Sequence, residues 1–215
     1  MIKNNTFNFG YDVVDRRARQ TPQDVAVVYT DRHGATLAIT CDELRHHSDI
    51  AAAYMQRIGV GNQTRVLLLG LERRFELALT VTALMKLGAT AVIGTDIDPV
   101  MLCNTCEIYV VIGYVEAPQM AAIMTLDKLR TVELRIAVGT PVPHGWLDFH
   151  TGVRAAKIFR RPEILPTATD TALIVGTPSR YAAYPYSYFN NPTGDSPIDA
   201  FVCSQVSGGF WETAE

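Results

Sequence analysis

The 215-residue chain is 48% hydrophobic, with 22 acidic and 19 basic residues, a formal charge of −3 and a pI of about 5.9. That apolar fraction suffices for one substantial core or two small subdomains and excludes a disordered chain. The weakly acidic balance offers no basic field to hold nucleic acid or an anionic membrane, so neither is expected as a partner.

The start, Met1-Ile2-Lys3-Asn4-Asn5-Thr6, has neither the basic opening nor the apolar stretch of a secretory signal, and no later run is long and apolar enough to span a bilayer. A cytoplasmic location is the expectation. The four cysteines are too few and too scattered for a disulfide framework and read as thiols in a reducing compartment.

In chain order, residues 11–20 read as a helix ending before Pro22. Val25-Ala26-Val27-Val28-Tyr29-Thr30 is a strand, and residues 36–40 return across a polar turn at Gly34 as its hairpin partner. Thr40-Cys41-Asp42-Glu43 carries the capping-box pattern of a helix start. That helix runs to about Ile58 and stops at Gly59 and Gly61, residues suited to the left-handed C-cap.

Val66-Leu67-Leu68-Leu69 is then a short apolar strand, 72–87 a helical run apolar on several sides, and Ala91-Val92-Ile93 a second strand, which together make a parallel βαβ unit. The alternation continues through strand 109–112, helix 118–129, strand 134–138, helix 149–159 and strand 171–175. The fold class that follows is α/β, a three-layer, mostly parallel sheet with flanking helices and right-handed crossovers, plus a small N-terminal β unit.

After Val175 the composition changes to an aromatic stretch interrupted by Pro178, Pro185, Pro192 and Pro197, in which regular helices are not expected. The domain division is therefore 1–175 for the α/β body and 176–215 for a divergent tail that packs on the body or on a partner. With Arg180 its only basic residue, the tail is not a nucleic-acid stacking platform.

Cys103 and Cys106 have metal or redox spacing, but no second ligand pair complements them, so packing thiols are the default. His46 and His47 are adjacent on a helix and read as a solvated face, while His33, His144 and His150 are isolated. Gly70, Gly94 and Gly113 stand near strand ends, where open α/β sheets admit ligands, without forming a dinucleotide fingerprint.

Phe7-Asn8-Phe9-Gly10-Tyr11-Asp12-Val13-Val14-Asp15, residues 22–28, Ile39-Thr40-Cys41-Asp42-Glu43-Leu44 and Leu84-Met85-Lys86-Leu87-Gly88-Ala89 follow one another as in a known family. So do Gly145-Trp146-Leu147-Asp148-Phe149 and Asp170-Thr171-Ala172-Leu173-Ile174. From Thr6 to about Ile174 the chain resembles the N-terminal part of medium-chain acyl-CoA synthetases of the acyl-adenylate-forming, AMP-binding superfamily. The resemblance implies a two-step reaction, in which a carboxylic acid and ATP give an acyl-adenylate and pyrophosphate, after which CoA displaces AMP. It also implies Mg²⁺, and a large N-terminal domain followed by a small mobile one.

The same resemblance places a Ser/Thr/Gly-rich phosphate loop directly after residue 174. A loop of small residues lets several amides converge on one anion. Here the run is Gly176-Thr177-Pro178-Ser179-Arg180-Tyr181, so Gly176, Thr177 and Ser179 mark a degenerate phosphate-loop position, Pro178 removes an amide and Tyr181 adds bulk. No lysine follows Lys157, and the family's adenine segments, magnesium contact and C-terminal lysine have no matching positions. By resemblance Gly94 and Thr95 lie at a turn near the CoA tunnel, while Arg73 and Arg74 are a basic pair close to the preceding strand, so these four are possible CoA-side contacts, against the plainer reading of a turn and a solvent-facing ion pair.

Loss of the phosphate cradle and lysine removes the main electrostatic stabilisation of phosphoryl-centre chemistry. The expectation is a truncated, acyl-CoA synthetase-like protein that forms no acyl-adenylate alone and serves as a binding or assembly module. It would be a homo-oligomer or the companion of a second synthetase-like subunit, with an acyl or CoA ligand open. No catalytic residue, metal or cofactor is assigned to the isolated chain. The alternative is a subunit of a split acyl-CoA synthetase, for which ATP, Mg²⁺ and CoA would be required. An unrelated small-molecule enzyme on the same scaffold is a third reading, with no nucleophile or cofactor fingerprint behind it.

Overall fold

The computed structural model describes residues 6–124, 129–194 and 196–215. Near the N-terminus, a π-helical turn over Gly10–Val14 leads into α1 (Asp15–Gln20). Asn8 Nδ2 donates to the Met85 carbonyl at 2.6 Å and the Tyr11 hydroxyl to the Lys86 carbonyl at 2.9 Å, so this turn is tied to the end of a later helix.

β1 (Val25–Thr30) and β2 (Thr36–Thr40) form the expected antiparallel hairpin, pairing Val28 with Ala38. Its turn is organised by Asp31, whose Oδ1 accepts from the amides of His33 and Ala35 at 2.9 and 2.8 Å. α2 (Cys41–Arg57) starts at Thr40 with a complete capping box: Thr40 Oγ1 accepts from the Glu43 amide, and the Glu43 carboxylate accepts from the Thr40 amide. Gly59, just beyond its end, has φ +96°.

The larger sheet contains β3 (Arg65–Leu69), β4 (Thr90–Gly94), β5 (Val110–Tyr114), β6 (Leu134–Val138), β7 (Leu147–Asp148), β8 (Thr171–Thr177) and β9 (Arg180–Pro185). Its spatial order is β7-β6-β5-β3-β4-β8-β9, parallel throughout except for the β8–β9 hairpin. Side-chain alternation along β3 divides the core in two. Val66 and Leu68 join a large cluster under α2 and α3 (Phe75–Leu87), whereas Leu67 and Leu69 join a second cluster with Leu102 and Cys103 of α4 (Pro99–Thr105) and Met120 and Ile123 of α5 (Met120–Ile123). The three-layer α/β class is thereby established.

Boundaries shift where tertiary contacts outweigh local pattern. The helix expected over 72–87 starts at Phe75, because the Arg74 amide closes a turn on the Leu71 carbonyl and Arg74 itself is extended. It ends at Gly88 with φ +77°, where a Cβ would stand 2.7 Å from Asn62 Oδ1. The helix expected over 118–129 is described only as α5, since residues 125–128 lie outside the described set. The one expected over 149–159 is the shorter α6 (Phe149–Ala155).

The expectation that the last forty residues hold no regular helix is corrected. α7 (Pro197–Val206) begins with Pro197 in its first turn, where a missing amide is harmless, and is closed by a Ser196–Asp199 capping box. Phe201 of α7 is fully buried, 5.7 Å from Phe9 and 5.6 Å from Trp211 between ring centroids. β10 (Trp211–Ala214) then pairs parallel with β1, giving the smaller sheet the order β10-β1-β2.

Candidate functional site

The degenerate phosphate-loop position is the tip of the β8–β9 hairpin. Gly176 pairs with Tyr181 and Thr177 with Arg180, leaving Pro178 and Ser179 as a two-residue turn. Thr177 Oγ1 accepts from the Arg180 amide at 3.2 Å and lies 3.1 Å from the Arg180 carbonyl, so the tip's polar groups close on each other. Tyr181 lies against Gly176, with ring carbons 3.3 and 3.4 Å from where a Cβ would stand. This is a closed hairpin without the converging amides that cradle a phosphate.

Parallel pairing of β4 with β8 sets Gly94 opposite Gly176, and the Thr95 amide donates to the Gly176 carbonyl at 2.9 Å. Two groups of residues far apart in the sequence therefore meet at the carboxyl edge of the sheet. Beside them opens a cavity of about 540 Å³, lined among others by Glu72, Thr95, Asp96, Tyr184, Pro197 and Asp199. Its volume falls within the range of small-molecule sites.

Its charge is negative. Glu72 and Asp96 are exposed and have no ion-pair partner among the described residues, and no described lysine, arginine or histidine lines the cavity. Asp199 is only 3% exposed. Its Oδ2 accepts from the Ser196 amide and hydroxyl at 3.2 and 2.6 Å, whereas its Oδ1 is buried with no hydrogen-bond partner. Such an edge disfavours a polyphosphate.

Arg73 and Arg74 line a different cavity of about 310 Å³, together with Arg32, Gly70, Tyr114 and Glu215. Arg73 is exposed, but the solvent-facing reading fails for Arg74, whose side chain is 13% exposed. Arg74 pairs with Glu76 at 3.1 Å and with Glu215, and lies 4.0 Å over the Tyr114 ring. Burial opposes the Arg74 charge, but the Glu76 carboxylate together with the Tyr114 and Tyr29 hydroxyls outweighs it and raises the Arg74 pKa.

The remaining sequence candidates are structural in placement. Cys103 and Cys106 are buried free thiols in the second core cluster, and burial pushes Cys103 up to about 12. No group of three His, Cys, Asp or Glu side chains suited to a metal ion occurs among the described residues. His46 is exposed and His47 half-buried. His150 is not isolated: it lies on α6, with Nε2 3.2 Å from Glu76 Oε1.

Sequence reasoning missed the Glu72, Asp96 and Asp199 carboxylates and the fully buried Lys86, whose Nζ meets Asp15 at 2.7 Å and Asp49 at 2.5 Å. The spacing Ser196-Pro197-Ile198-Asp199 carried the signal for one of them, as a capping box. The others depend on tertiary juxtaposition.

Architecture and edge geometry define an α/β domain of the kind found at the N-terminal end of adenylate-forming enzymes. The family model of the AMP-binding enzymes matches residues 14–175, and the chain belongs to that family. Among solved structures it is similar to an acyl-CoA synthetase of Brucella canis, at 16% identity and TM-score 0.79, covering 99% of this chain and 44% of that one. A second is a putative long-chain-fatty-acid CoA ligase of Rhodopseudomonas palustris, at 19% identity and TM-score 0.77, with 97% and 57% covered. A third is the anthranilate CoA ligase AuaEII in complex with anthranoyl-AMP, at 17% identity and TM-score 0.72, with 86% and 36% covered. The chain thus spans between 36% and 57% of the length of these structures. No curated protein matches its sequence. No helix among the described residues is long and apolar enough to cross a membrane.

Proposed function

We propose that this 215-residue chain is a binding or assembly module on an acyl-CoA synthetase scaffold and forms no acyl-adenylate by itself. The observation that carries the reading is the hairpin tip: the Arg180 amide is consumed by Thr177 Oγ1, and Pro178 has no amide to give. The residues present do not fit a triphosphate with its magnesium, because the adjoining cavity adds Glu72, Asp96 and Asp199 in place of cations. No cofactor is assigned to the chain on its own.

The test is carboxylate-dependent ATP–pyrophosphate exchange with a panel of short, medium and aromatic acids. Exchange no greater than in a mock preparation is the expected result, and any acid that drives exchange above that level overturns the reading.

A second reading is favoured by the family match over residues 14–175 together with the partial coverage of the similar solved structures: the chain is one subunit of a split acyl-CoA synthetase, and a second synthetase-like polypeptide completes the ATP, Mg²⁺ and CoA sites. Native mass spectrometry of the protein from its own host separates the two. A homo-oligomer supports the module, and a hetero-complex with a synthetase-like partner supports the split enzyme.

A further inference from the structure

We propose that the segment between α6 and β8, together with the C-terminal end of α2, is a docking surface for an anionic phospholipid bilayer. The formal charge of −3 argues against such a partner, but it averages over a local surface of the opposite sign. Residues 154–166 carry Arg154, Lys157, Arg160 and Arg161 against Glu163 alone. Arg57 of α2 joins them in space, its Nη1 donating to the Ala155 carbonyl at 3.5 Å. All five cations are exposed, and none has an ion-pair partner among the described residues. Arg57, Lys157 and Arg160 line one cavity of about 390 Å³ with Gln56 and Ile158, and no described carboxylate faces it.

A second, independent observation identifies the occupant. Ile158 and Ile164 of the same segment are 78% and 72% exposed, the highest values among the large hydrophobic side chains of the described residues, with Phe210 next at 53%. One exposed apolar residue would carry no meaning, but two set among unpaired cations match what an interface of phosphate headgroups and acyl chains receives: isoleucines enter the apolar boundary while arginine and lysine stay at the phosphates. A soluble phosphate would use the cations and leave both isoleucines in water, and a nucleic acid would want exposed aromatic rings, whereas Phe159 is half-buried. The segment is also held in place. Gln56 Nε2 donates to the Arg160 carbonyl at 3.1 Å, and the Arg161 guanidinium lies 4.0 Å over the Tyr11 ring, so the backbone is fixed to the body while Lys157 and Ile158 face solvent.

The experiment is co-sedimentation of the full chain with large vesicles of phosphatidylcholine alone and with about one-third phosphatidylserine. Partition onto the anionic vesicles is expected to be about tenfold or more stronger than onto the neutral ones, and to weaken as salt is raised. Lys157→Gln/Arg160→Gln should lose roughly tenfold to thirtyfold, since each cation near a charged surface is worth about fivefold. Ile158→Ser/Ile164→Ser should lose roughly threefold to tenfold, a loss that persists at high salt. All four positions are exposed, so both variants should keep the parent's urea midpoint. Absence of binding, or equal binding to neutral vesicles, overturns the proposal. So does an unchanged isoleucine variant, which would assign the patch to a soluble anion, and so does capture by polyglutamate without vesicle binding, which would assign it to an acidic macromolecule. Because vesicle binding and pyrophosphate exchange are separate readouts, this inference and the reading of the chain as non-adenylating can each fail without the other.

Discussion

His150 Nε2 lies 3.2 Å from Glu76 Oε1, while Arg74 Nε donates to Oε2 of the same carboxylate at 3.1 Å. Glu76 is thus clamped between α6 and the turn before its own helix, at 6% exposure. Burial pushes its carboxyl up, but the His150 hydrogen bond, the Arg74 charge, its own backbone amide and the Arg74 hydrogen bond together hold it below the ordinary carboxylate value.

A carboxyl whose folded pKa is depressed contributes stability that is present above its unfolded value, 4.5 for this group, and is lost as pH falls through the folded value. Glu76→Gln should therefore destabilise the chain by about 3 kcal/mol near neutral pH, since among the described residues it leaves Arg74 with Glu215 as its one carboxylate partner. The gap should narrow in acid. Urea midpoints of both proteins at about pH 7 and about pH 4 test this, and an equal gap at both would refute the clamp.

Lys86 is fully buried, held by Asp15 of α1 and Asp49 of α2. Removing one member of a buried ion cluster leaves the others uncompensated, so Lys86→Met is expected to lose about 3 kcal/mol despite its similar volume. Asp15 is already raised, chiefly by burial and against the pull of Lys86. Without Lys86 its pKa rises further, so the neutral acid forms more readily and the variant's deficit shrinks as pH falls. Equilibrium urea unfolding across that range distinguishes this from a simple packing defect, whose cost would not vary with pH.

Which features were legible in the sequence follows from the range of the interactions that make them. The capping box of α2 involves residues three apart, and the apolar strand 66–69 needs only its own composition, so both are readable locally. The start of α3 was misplaced because Glu72, Arg73 and Arg74 suit a helix by type, yet Arg74 is drawn out of it by Glu76, Tyr114 and Glu215. α7 is not legible from composition because Pro197 suits a helix breaker by type, yet it stands in the first helical turn, where proline is tolerated. Gly94 and Gly176 stand 82 positions apart in the sequence, with no local pattern to join them. Only the β4–β8 register sets them side by side and gathers Glu72, Asp96 and Asp199 around one cavity.

Gly152 of α6 sits directly against Tyr54 of α2, and a Cβ there would stand 2.3 Å from two carbons of its ring. Tyr54 is 3% exposed and packed edge-on against Phe149, so the ring has no open space to move into. Gly152→Ala, which in an open helix would be mildly favourable, is expected here to cost about 2 kcal/mol through overpacking. The double variant Gly152→Ala/Tyr54→Leu should recover part of that loss. If Gly152→Ala alone unfolds at the wild-type urea midpoint, the close approach of α6 to α2 is wrong.

The last forty residues are structurally integral only if their buried aromatics carry stability, and Phe201 and Tyr181 provide the contrast. Phe201 is fully buried between Phe9 and Trp211, joining the N-terminal turn to β10, whereas Tyr181 on the hairpin is 37% exposed. Phe201→Ala should cost about 4 kcal/mol and lower the thermal midpoint. Loss of its packing also loosens β10, which covers one edge of β1, so this variant is expected to aggregate on heating through the exposed strand edge. Tyr181→Ala should change stability by no more than about 1 kcal/mol. Scanning calorimetry with light scattering reads both outcomes, and similar small shifts for the two variants would show that the tail is not part of the core.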